Sequence, residues 1–566
     1  MAHERQHENQ SEGQNWIQGP KLQPTLHKMA ANQQSKLAGT SAWSPLRQPV
    51  FRALWIASVT SNIGTWMHEV GAGWLMTSLT PSPLMVALMQ TATSLPIFLL
   101  ALPAGALADI IDRRRMLLFT QAWMLAAAAA LGVLTLLDLT TPWVLLVVTL
   151  ALGAGAAMNG PAWQATAPEL VPRAEFPAAV ALTGMGLNLA RAVGPALGGA
   201  VVAVAGAWAV FLLNAASFLS VMVVLYGWRR PGQHRPAPEE GVLGAIRAGI
   251  RYARHAPALR AVLIRTVLFV PFASALWALL PVLARHEMGL DSFGYGILFG
   301  CLGIGAVGGA MLLPLLRSRF STDSLVPAAT VAFAAVTVGL AEVRHFAWLC
   351  VFLLAGGVAW ITLMASFNVA TQTAAPSWVR ARALALYLLM FQGSMAVGSI
   401  VWGEITEHVG IAAAFLGAAA GLVVGLAGIV RYPLNGNEVI DLTPSPHWPE
   451  PIITNEPRPE DGPVLITVEY RIEPEHARDF TIAMRAVRQQ RLRDGAFRSG
   501  LYSDPVDPSR YVETFVVESW AEHLRQHERV TVSDRIAEDR ARAFHVGDAP
   551  PVISHYISAH NPEAPD

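Results

Sequence analysis

The sequence predicts an all-α polytopic membrane protein: twelve transmembrane helices in two six-helix bundles, joined to a small C-terminal α+β domain of ferredoxin-like order. Three observations predict it. The first is composition. Of 566 residues, 53% are hydrophobic and 14% charged, with a mean hydropathy of +0.40, whereas a soluble protein carries about 25% charged residues. The second is arginine placement. With the N-terminus inside, Arg47, Arg52, Arg113, Arg114, Arg115, Arg173, Arg229, Arg230, Arg235, Arg247, Arg251, Arg254, Arg260, Arg317, Arg319, Arg380, Arg382 and Arg431 collect on one side, against Arg285 and Arg344 on the other. That asymmetry predicts an even number of spans and both termini in the cytoplasm. The third is a faint repeat. Gln164-Ala-Thr-Ala-Pro168-Glu-Leu-Val171 matches Gln372-Thr-Ala-Ala-Pro376-Ser-Trp-Val379 at an offset of 208 residues. Both segments close an apolar span ahead of a basic turn, as the fourth and tenth helices of a duplicated six-plus-six bundle would.

In chain order, residues 1–42 are polar, lack the apolar stretch of a signal peptide and read as a disordered cytoplasmic tail. A helix crossing the hydrocarbon needs about 20 apolar residues. Such runs lie near 51–79, 83–107, 116–138, 141–163, 177–205 and 208–228, the bundle 43–228, and near 259–284, 292–316, 323–343, 345–370, 380–406 and 410–431, the bundle 259–431. Residues 229–258 link the bundles through an amphipathic helix, with Val242, Ile246, Ile250 and Ala253 on one side and Arg247, Arg251 and Arg254 on the other. Residues 432–462 form a stiff, Pro-rich linker. Residues 463–558 then read as a soluble domain. Val464 to Ile472 alternates as a strand, Pro474 to Arg493 is helical with Phe480, Met484, Val487 and Leu492 aligned, Phe497 to Ser503 and Arg510 to Ser519 are strands, Trp520 to Phe544 is one helix, and Val552 to Ile557 is a last strand. The order β-α-β-β-α-β is ferredoxin-like. Residues 559–566 read as a disordered end. Cys301 and Cys350 sit in apolar runs and read as buried, inert thiols. No basic aromatic stripe points to nucleic acid.

The loop between the second and third spans, Gly105-Ala-Leu-Ala-Asp109-Ile-Ile-Asp112-Arg113-Arg114-Arg115, resembles the signature loop of the major facilitator superfamily. Gly105 is expected to let the second span approach a neighbour closely. The resemblance implies that Asp109 braces the second half and pairs with a loop arginine, Arg113 being the local partner, in a latch that forms when the cytoplasmic side closes. Asp112 belongs to the same cluster, since acidic residues contribute little to topology. The fifth span holds Gly186-Leu-Asn188-Leu-Ala-Arg191-Ala-Val-Gly194-Pro195-Ala-Leu-Gly198-Gly199. Its Gly-Pro-x-x-Gly-Gly run resembles the helix-5 motif of superfamily antiporters, with Ala190 where that pattern has a further glycine. With Ser61-Asn-Ile-Gly64-Thr-Trp66-Met, Trp74 and the Leu79-Thr-Pro-Ser82-Pro83 turn, residues 45–431 resemble the enterobactin-exporter-like, drug:proton antiporter branch, whose bacterial members are called transmembrane secretion effectors. The resemblance implies a multi-pass protein of the cytoplasmic (inner) membrane that exports siderophores, drugs or other small amphipathic molecules by alternating access. In the tail, Glu518-Ser-Trp520-Ala-Glu-His523-Leu-Arg-Gln-His527 resembles the strand-to-helix junction of antibiotic-biosynthesis-monooxygenase-like domains, which form dimeric α/β barrels, and implies homodimerisation there.

Charged residues inside a membrane are expensive and are paired or functional. Glu69, beside His68 and just past the middle of the first span, and Arg191, halfway along the fifth, lie at similar depth when counted at about 1.5 Å per residue. Glu69 is then either a proton-responsive carboxylate partnered by Arg191, a permanent ion pair, or a group wetted from the outer side. Asn62, Gln90, Asn159, Gln164, Asn188, Asn214, Asn368, Gln372 and Gln392 are candidates for the cavity lining, and Trp66, Trp74, Trp163, Trp277, Trp360 and Trp402 for its walls. Polar residues in spans also simply join helices. Arg265 is expected to snorkel. His523 and His527, four apart on a helix, have a metal-binding spacing but read as a solvated face, and no metal or cofactor is expected. No Gly-x-x-x-x-Gly-Lys-Ser/Thr occurs, so the expected driving force is the proton gradient. One charge crossing 100 mV releases about 2.3 kcal/mol, more than the roughly 1.4 kcal/mol of a tenfold concentration ratio. An alternative reading makes the tail an oxygenase-like enzyme or sensor served by the membrane part.

Overall fold

The structure, a computed structural model, describes residues 41, 43–166, 169–228, 242–434, 441–445, 447–448, 457–547 and 549–559. Most of the two terminal tails and the connection 229–241 therefore lie outside the described residues. Six long helices form the first half: α1 (Pro49–Leu79), α2 (Pro83–Ile110), α3 (Arg113–Leu136), α4 (Pro142–Thr166), α5 (Phe176–Ala205) and α6 (Ala207–Gly227). After α7 (Val242–His255) come α8 (Pro257–Val282), α9 (Ser292–Arg319), α10 (Thr322–Glu342), α11 (Phe346–Thr373), α12 (Arg380–Val409) and α13 (Ile411–Gly425), with a short α14 (Ala427–Arg431). Among the described residues, eleven helices are long and apolar enough to cross a membrane. The helix α1 is not among them; it carries the polar residues Ser58, Ser61, Asn62, Thr65, His68 and Glu69, which lower its hydropathy and face a cavity.

Local sequence explains the helix starts. Pro takes the first helical position of α1, α2 and α8 and the second of α5, where its missing N–H costs nothing. Asp112 caps α3 by accepting from the Arg115 amide at 3.0 Å, and Asp291 caps α9 through Gly294 at 2.8 Å. The halves pack alike. In the first, α1 meets α5 and α6, α2 meets α4, and α3 meets α4 and α6; in the second, α8 meets α12 and α13, α9 meets α11, and α10 meets α11 and α13. Two further pairs, α2 with α12 and α5 with α9, join the halves. The correspondence runs helix for helix, as the repeat anticipates.

The amphipathic helix α7 forms, but with a different buried side. Ile250 is exposed, while Ala248, Gly249, Tyr252 and Ala253 are buried. Small residues let α7 lie close to α12, where a Cβ on Gly249 would meet Arg382 Cβ at 3.1 Å, so close packing outweighs the apolar stripe. Arg265 does not snorkel: its side chain is buried and reaches Asp323 at 3.5 Å, while Asp323 also accepts from the Leu434 amide at 2.9 Å. Cys301 and Cys350 are free and half-buried rather than buried.

The C-terminal part contains β1 (Val464–Arg471), α15 (Ala477–Asp494), β2 (Arg498–Ser503), β3 (Arg510–Val517), α16 (Trp520–Arg529), α17 (Val532–Arg542) and β4 (Val552–Ile557). The strands form one antiparallel sheet in the order β2-β3-β1-β4, with Val464 opposite Val517 and Ile557. The single helix expected over 520–544 is two. Thr531 and Asp534 form a reciprocal cap that stops α16 and starts α17. On α15, Phe480, Met484 and Val487 are buried as expected, but Arg491 rather than Leu492 continues the inward row, because the row advances by three or four residues. Arg491 is neutralised there by Glu513 at 2.9 Å and Glu538 at 2.7 Å. His523 is 1% exposed rather than solvated, since the inner side of α16 packs under the sheet with His523 against Trp520 and His555.

Candidate translocation site and gates

Two adjoining cavities of about 400 and 290 Å³ lie between the halves. Both are walled by Glu69 and Gln90, and by Trp277 and Phe299 from the second half. Asn62, His68 and Asn159 face the larger one; Trp66, Arg191, Trp360 and Gln392 face the smaller. Glu69 is the carboxylate common to both, and Arg191 stands 5.4 Å from the centre of the Trp66 ring. An aromatic face attracts a cation through its quadrupole, so Trp66 holds the guanidinium on the Glu69 side of the smaller cavity. Trp277 and Trp360 meet at 4.1 Å between centroids and Trp360 and Phe391 at 6.0 Å. The result is an apolar, aromatic chamber with one carboxylate and one guanidinium, able to take a flat amphipathic guest. His68 is buried against Phe211 at 4.6 Å, and neither ring nitrogen has a hydrogen-bond partner.

Other expected positions fall elsewhere. Gln164 and Gln372 are exposed in the last turns of α4 and α11, where solvent rather than the cavity is nearest; Gln372 donates to Asn368 at 2.7 Å. Asn188 faces neither cavity. Trp402 donates to the Pro271 carbonyl at 2.7 Å and so joins α12 to α8 instead of walling the chamber. Gln121 was missed: it is buried, lines the larger cavity and donates to Asn159 at 3.3 Å. A lone amide two turns into an otherwise apolar run was its visible signal.

The glycines of α5 act by what they leave out. A Cβ on Gly194 would stand 2.5 Å from Trp66 Cβ, one on Gly198 2.8 Å from Met67 Cα, and one on Gly199 2.5 Å from the Ser292 carbonyl. The helix is thus wedged between α1 and α9. Pro195 has no N–H, which frees the carbonyl of Arg191, and Gly303 of α9 comes up against that carbonyl.

At the arginine-rich end, Asp112 caps α3, Arg113 pairs with Glu169 at 2.7 Å, and Arg114 donates to the carbonyls of Leu225 at 2.8 Å and Tyr226 at 2.6 Å. The signature loop therefore fastens Glu169 and the end of α6. The side chain of Asp109 lies outside the described residues. Among the described residues, no atom lies within 4 Å of the Cβ position of Gly105. At the far end the halves meet. Arg285 of the second half hydrogen-bonds Ser78 and stacks 4.8 Å from the Trp74 ring, and Glu407 accepts from Ser82 at 2.5 Å and from the Leu84 amide at 3.1 Å. The larger cavity extends from Gly73 toward Ser58 and Trp163, near the arginine-rich end.

Known proteins carry the same plan. The multidrug efflux pump Tap of Mycobacterium tuberculosis is 26% identical over 425 residues, 72% of this chain and 98% of Tap. The enterobactin exporter EntS of Citrobacter koseri is 26% identical, covering 63% of this chain and 85% of its own length. The staphyloferrin A transporter of Staphylococcus aureus is 23% identical, at 68% and 96%. Among solved structures, the nucleoside transporter NupG superposes with a TM-score of 0.54 at 15% identity, over 68% of this chain and 99% of its own. A bacterial homologue of the lysosomal transporter Spinster, inward-facing and occupied, gives 0.53 at 13%, over 70% and 96%. These two likenesses establish the fold. The family model for transmembrane secretion effectors matches residues 40–563, spans and tail alike. With the paired six-helix halves, the signature loop and the wedged fifth helix, this establishes that the chain belongs to the transmembrane secretion effectors of the major facilitator superfamily and is a membrane transporter.

Proposed function

We propose that this chain is a proton-driven exporter of small amphipathic molecules, residing in the cytoplasmic membrane with both termini inside. The observation that carries the reading is Glu69, one carboxylate shared by both cavities and standing with Arg191 in an aromatic chamber. A carboxylate that serves guest and proton in turn is what exchange of one for the other requires. The relatives lend support: their names describe a multidrug pump, an enterobactin exporter and a staphyloferrin A transporter. Arginine placement supports a cytoplasmic location for the end where the large cavity opens, so the conformation reads as inward-facing. Residues 43–228 and 259–431 are then the two rocking halves, 229–258 and 432–462 their connections, and 463–558 a separate domain between terminal tails 1–42 and 559–566. We read that domain as a docking module rather than an enzyme, because its buried charges Arg491, Glu513 and Glu538 are engaged with one another. Its open sheet face, with Tyr502, Val552 and Tyr556 exposed, suits a second copy of the chain.

The test is efflux of a panel of dyes and siderophores from cells, with and without a proton gradient. Gradient-dependent efflux lost in Glu69→Gln and in Asp109→Asn, at equal membrane abundance, is the expected result. Efflux that persists after the gradient is collapsed overturns proton coupling, and undiminished efflux in Glu69→Gln overturns the role of that carboxylate.

A further inference from the structure

Tap aligns over 98% of its own length but over 72% of this chain, so this chain carries residues beyond those it shares with Tap. The C-terminal domain does not hang free. It sits on the arginine-rich end of the second half, against α7 and the turn that joins α11 to α12. Tyr252 of α7 is buried, donates to the Ala374 carbonyl at 3.0 Å and meets the Trp378 ring edge-on at 5.7 Å. On this platform the domain places two arginines: Arg529 lies 4.5 Å from the Trp378 ring centre and Arg493 5.7 Å from that of Tyr252. Arg251 of α7 pairs with Glu522 at 2.7 Å, and Glu522 also takes Arg529 at 2.7 Å. Gln489 donates to the His255 carbonyl at 3.0 Å.

These contacts form one connected network. Glu522 is 6% and Arg529 5% exposed, so both are largely withdrawn from water, where charge pairs matter more than at an open surface. Arg529 also donates to the Asp494 carbonyl at 2.6 Å, and Arg493 is held by Asp494 at 2.6 Å and Asp534 at 2.7 Å. The docking groups are thereby fixed to the ends of α15, α16 and α17 instead of lying on loops. Among the described residues, the contacts named above between the domain and the membrane part fall on the second half or on α7. In a rocking-bundle closure of the arginine-rich end the turn 374–379 and the start of α12 would approach the first half, and the domain stands on that turn. It must then move with the turn or be loosened from it.

We propose that the C-terminal domain is an intramolecular clamp: docked through α15 and α16 on α7 and the 374–379 turn, it holds the transporter in the state open at the arginine-rich end. The clamp shifts the balance only by its differential contact with the two states, which fits a regulator rather than a part of the pump.

The test uses full-length protein in membrane vesicles with Cys301 and Cys350 replaced by serine. In one arm His255→Cys and Gln489→Cys are bridged by a short bifunctional thiol reagent. In the other, a single Ser61→Cys in the wall of the large cavity reports opening through its labelling rate by an impermeant maleimide applied from the arginine-rich side. Efficient bridging is expected. Arg251→Glu, which leaves the inside of the domain untouched, is expected to lower both bridging and labelling about threefold, the size of a weak coupling, with Arg251→Lys close to the parent in both. Failure to bridge the parent protein overturns docking. Bridging that falls in Arg251→Glu while labelling stays constant overturns the clamp. Neither readout needs a transported compound, so the outcome stands apart from that of the export assay.

Discussion

Arg113 shows how far a single residue's role depends on the fold. The sequence places it beside Asp109, four positions away; in the structure its guanidinium reaches Glu169 at 2.7 Å with both side chains largely buried. Glu169 stands inside the repeated segment, where its counterpart at the 208-residue offset is Ser377, so the pair belongs to the first half alone. Nothing local announces it, because a contact across 56 residues is set by how α3 and α4 pack. Taking one member out of a buried charge pair costs roughly 3 kcal/mol. Glu169→Ala is therefore expected to lower the unfolding temperature of the purified protein by several degrees, with the exchange Arg113→Glu/Glu169→Arg recovering part of the loss. An unchanged melting curve for Glu169→Ala would show that the pair is dispensable.

At the scale of elements, what could be read in advance was whatever one segment dictates by itself. Apolar length defined the spans to within a few residues, and alternation defined β1 and β3. Facing was less legible. Gln164 and Gln372 have the right chemistry for a cavity but sit in end turns exposed to solvent, and α7 buries its small side instead of its aliphatic one. The glycines of α5 could be named, but not their partners. Gly199→Val is expected to abolish the α5–α9 contact, since the added carbons meet the Ser292 carbonyl and the backbone of Gly296 and overpacking costs about 1–3 kcal/mol; full transport by this variant would argue against a tight wedge. The tail offers a pH prediction from α16. Burial, then the neighbouring His527 and His555, push His523 down to about 3. The unfolded chain takes up a proton near pH 6.5 and the folded domain does not. Stability is therefore whole above pH 6.5 and falls on acidification by about 1.4 kcal/mol per pH unit until the folded value is reached. Hydrogen exchange over 520–529 in the full-length protein should accelerate between pH 7 and pH 5, and less so in His523→Phe. Equal acceleration in both proteins would remove His523 as the cause.

For the whole molecule, the decisive relation is between its two ends. The far end is shut by charged groups of the second half seated on the α1–α2 turn of the first: Arg285 on Ser78 and Trp74, Glu407 on Ser82 and the Leu84 amide. The two contacts come from different helices, α12 and the π-helical turn that follows α8, yet both must break if the far end is to open. They therefore act on one equilibrium, and effects on one equilibrium multiply when the sites do not touch. Arg285→Ala and Glu407→Ala are each expected to lower the equilibrium constant for the open arginine-rich end, taken from the open fraction that labelling of Ser61→Cys reports, about threefold, the cost of an ordinary polar contact of about 0.7 kcal/mol, and the double variant about ninefold. The C-terminal clamp acts on the same equilibrium from the opposite end, so adding Arg251→Glu should lower that constant by its own factor again. A double variant no slower than either single one would mean that the two contacts form a single cooperative lock. Labelling unchanged in all three would mean that the far-end contacts do not gate the cavity at all.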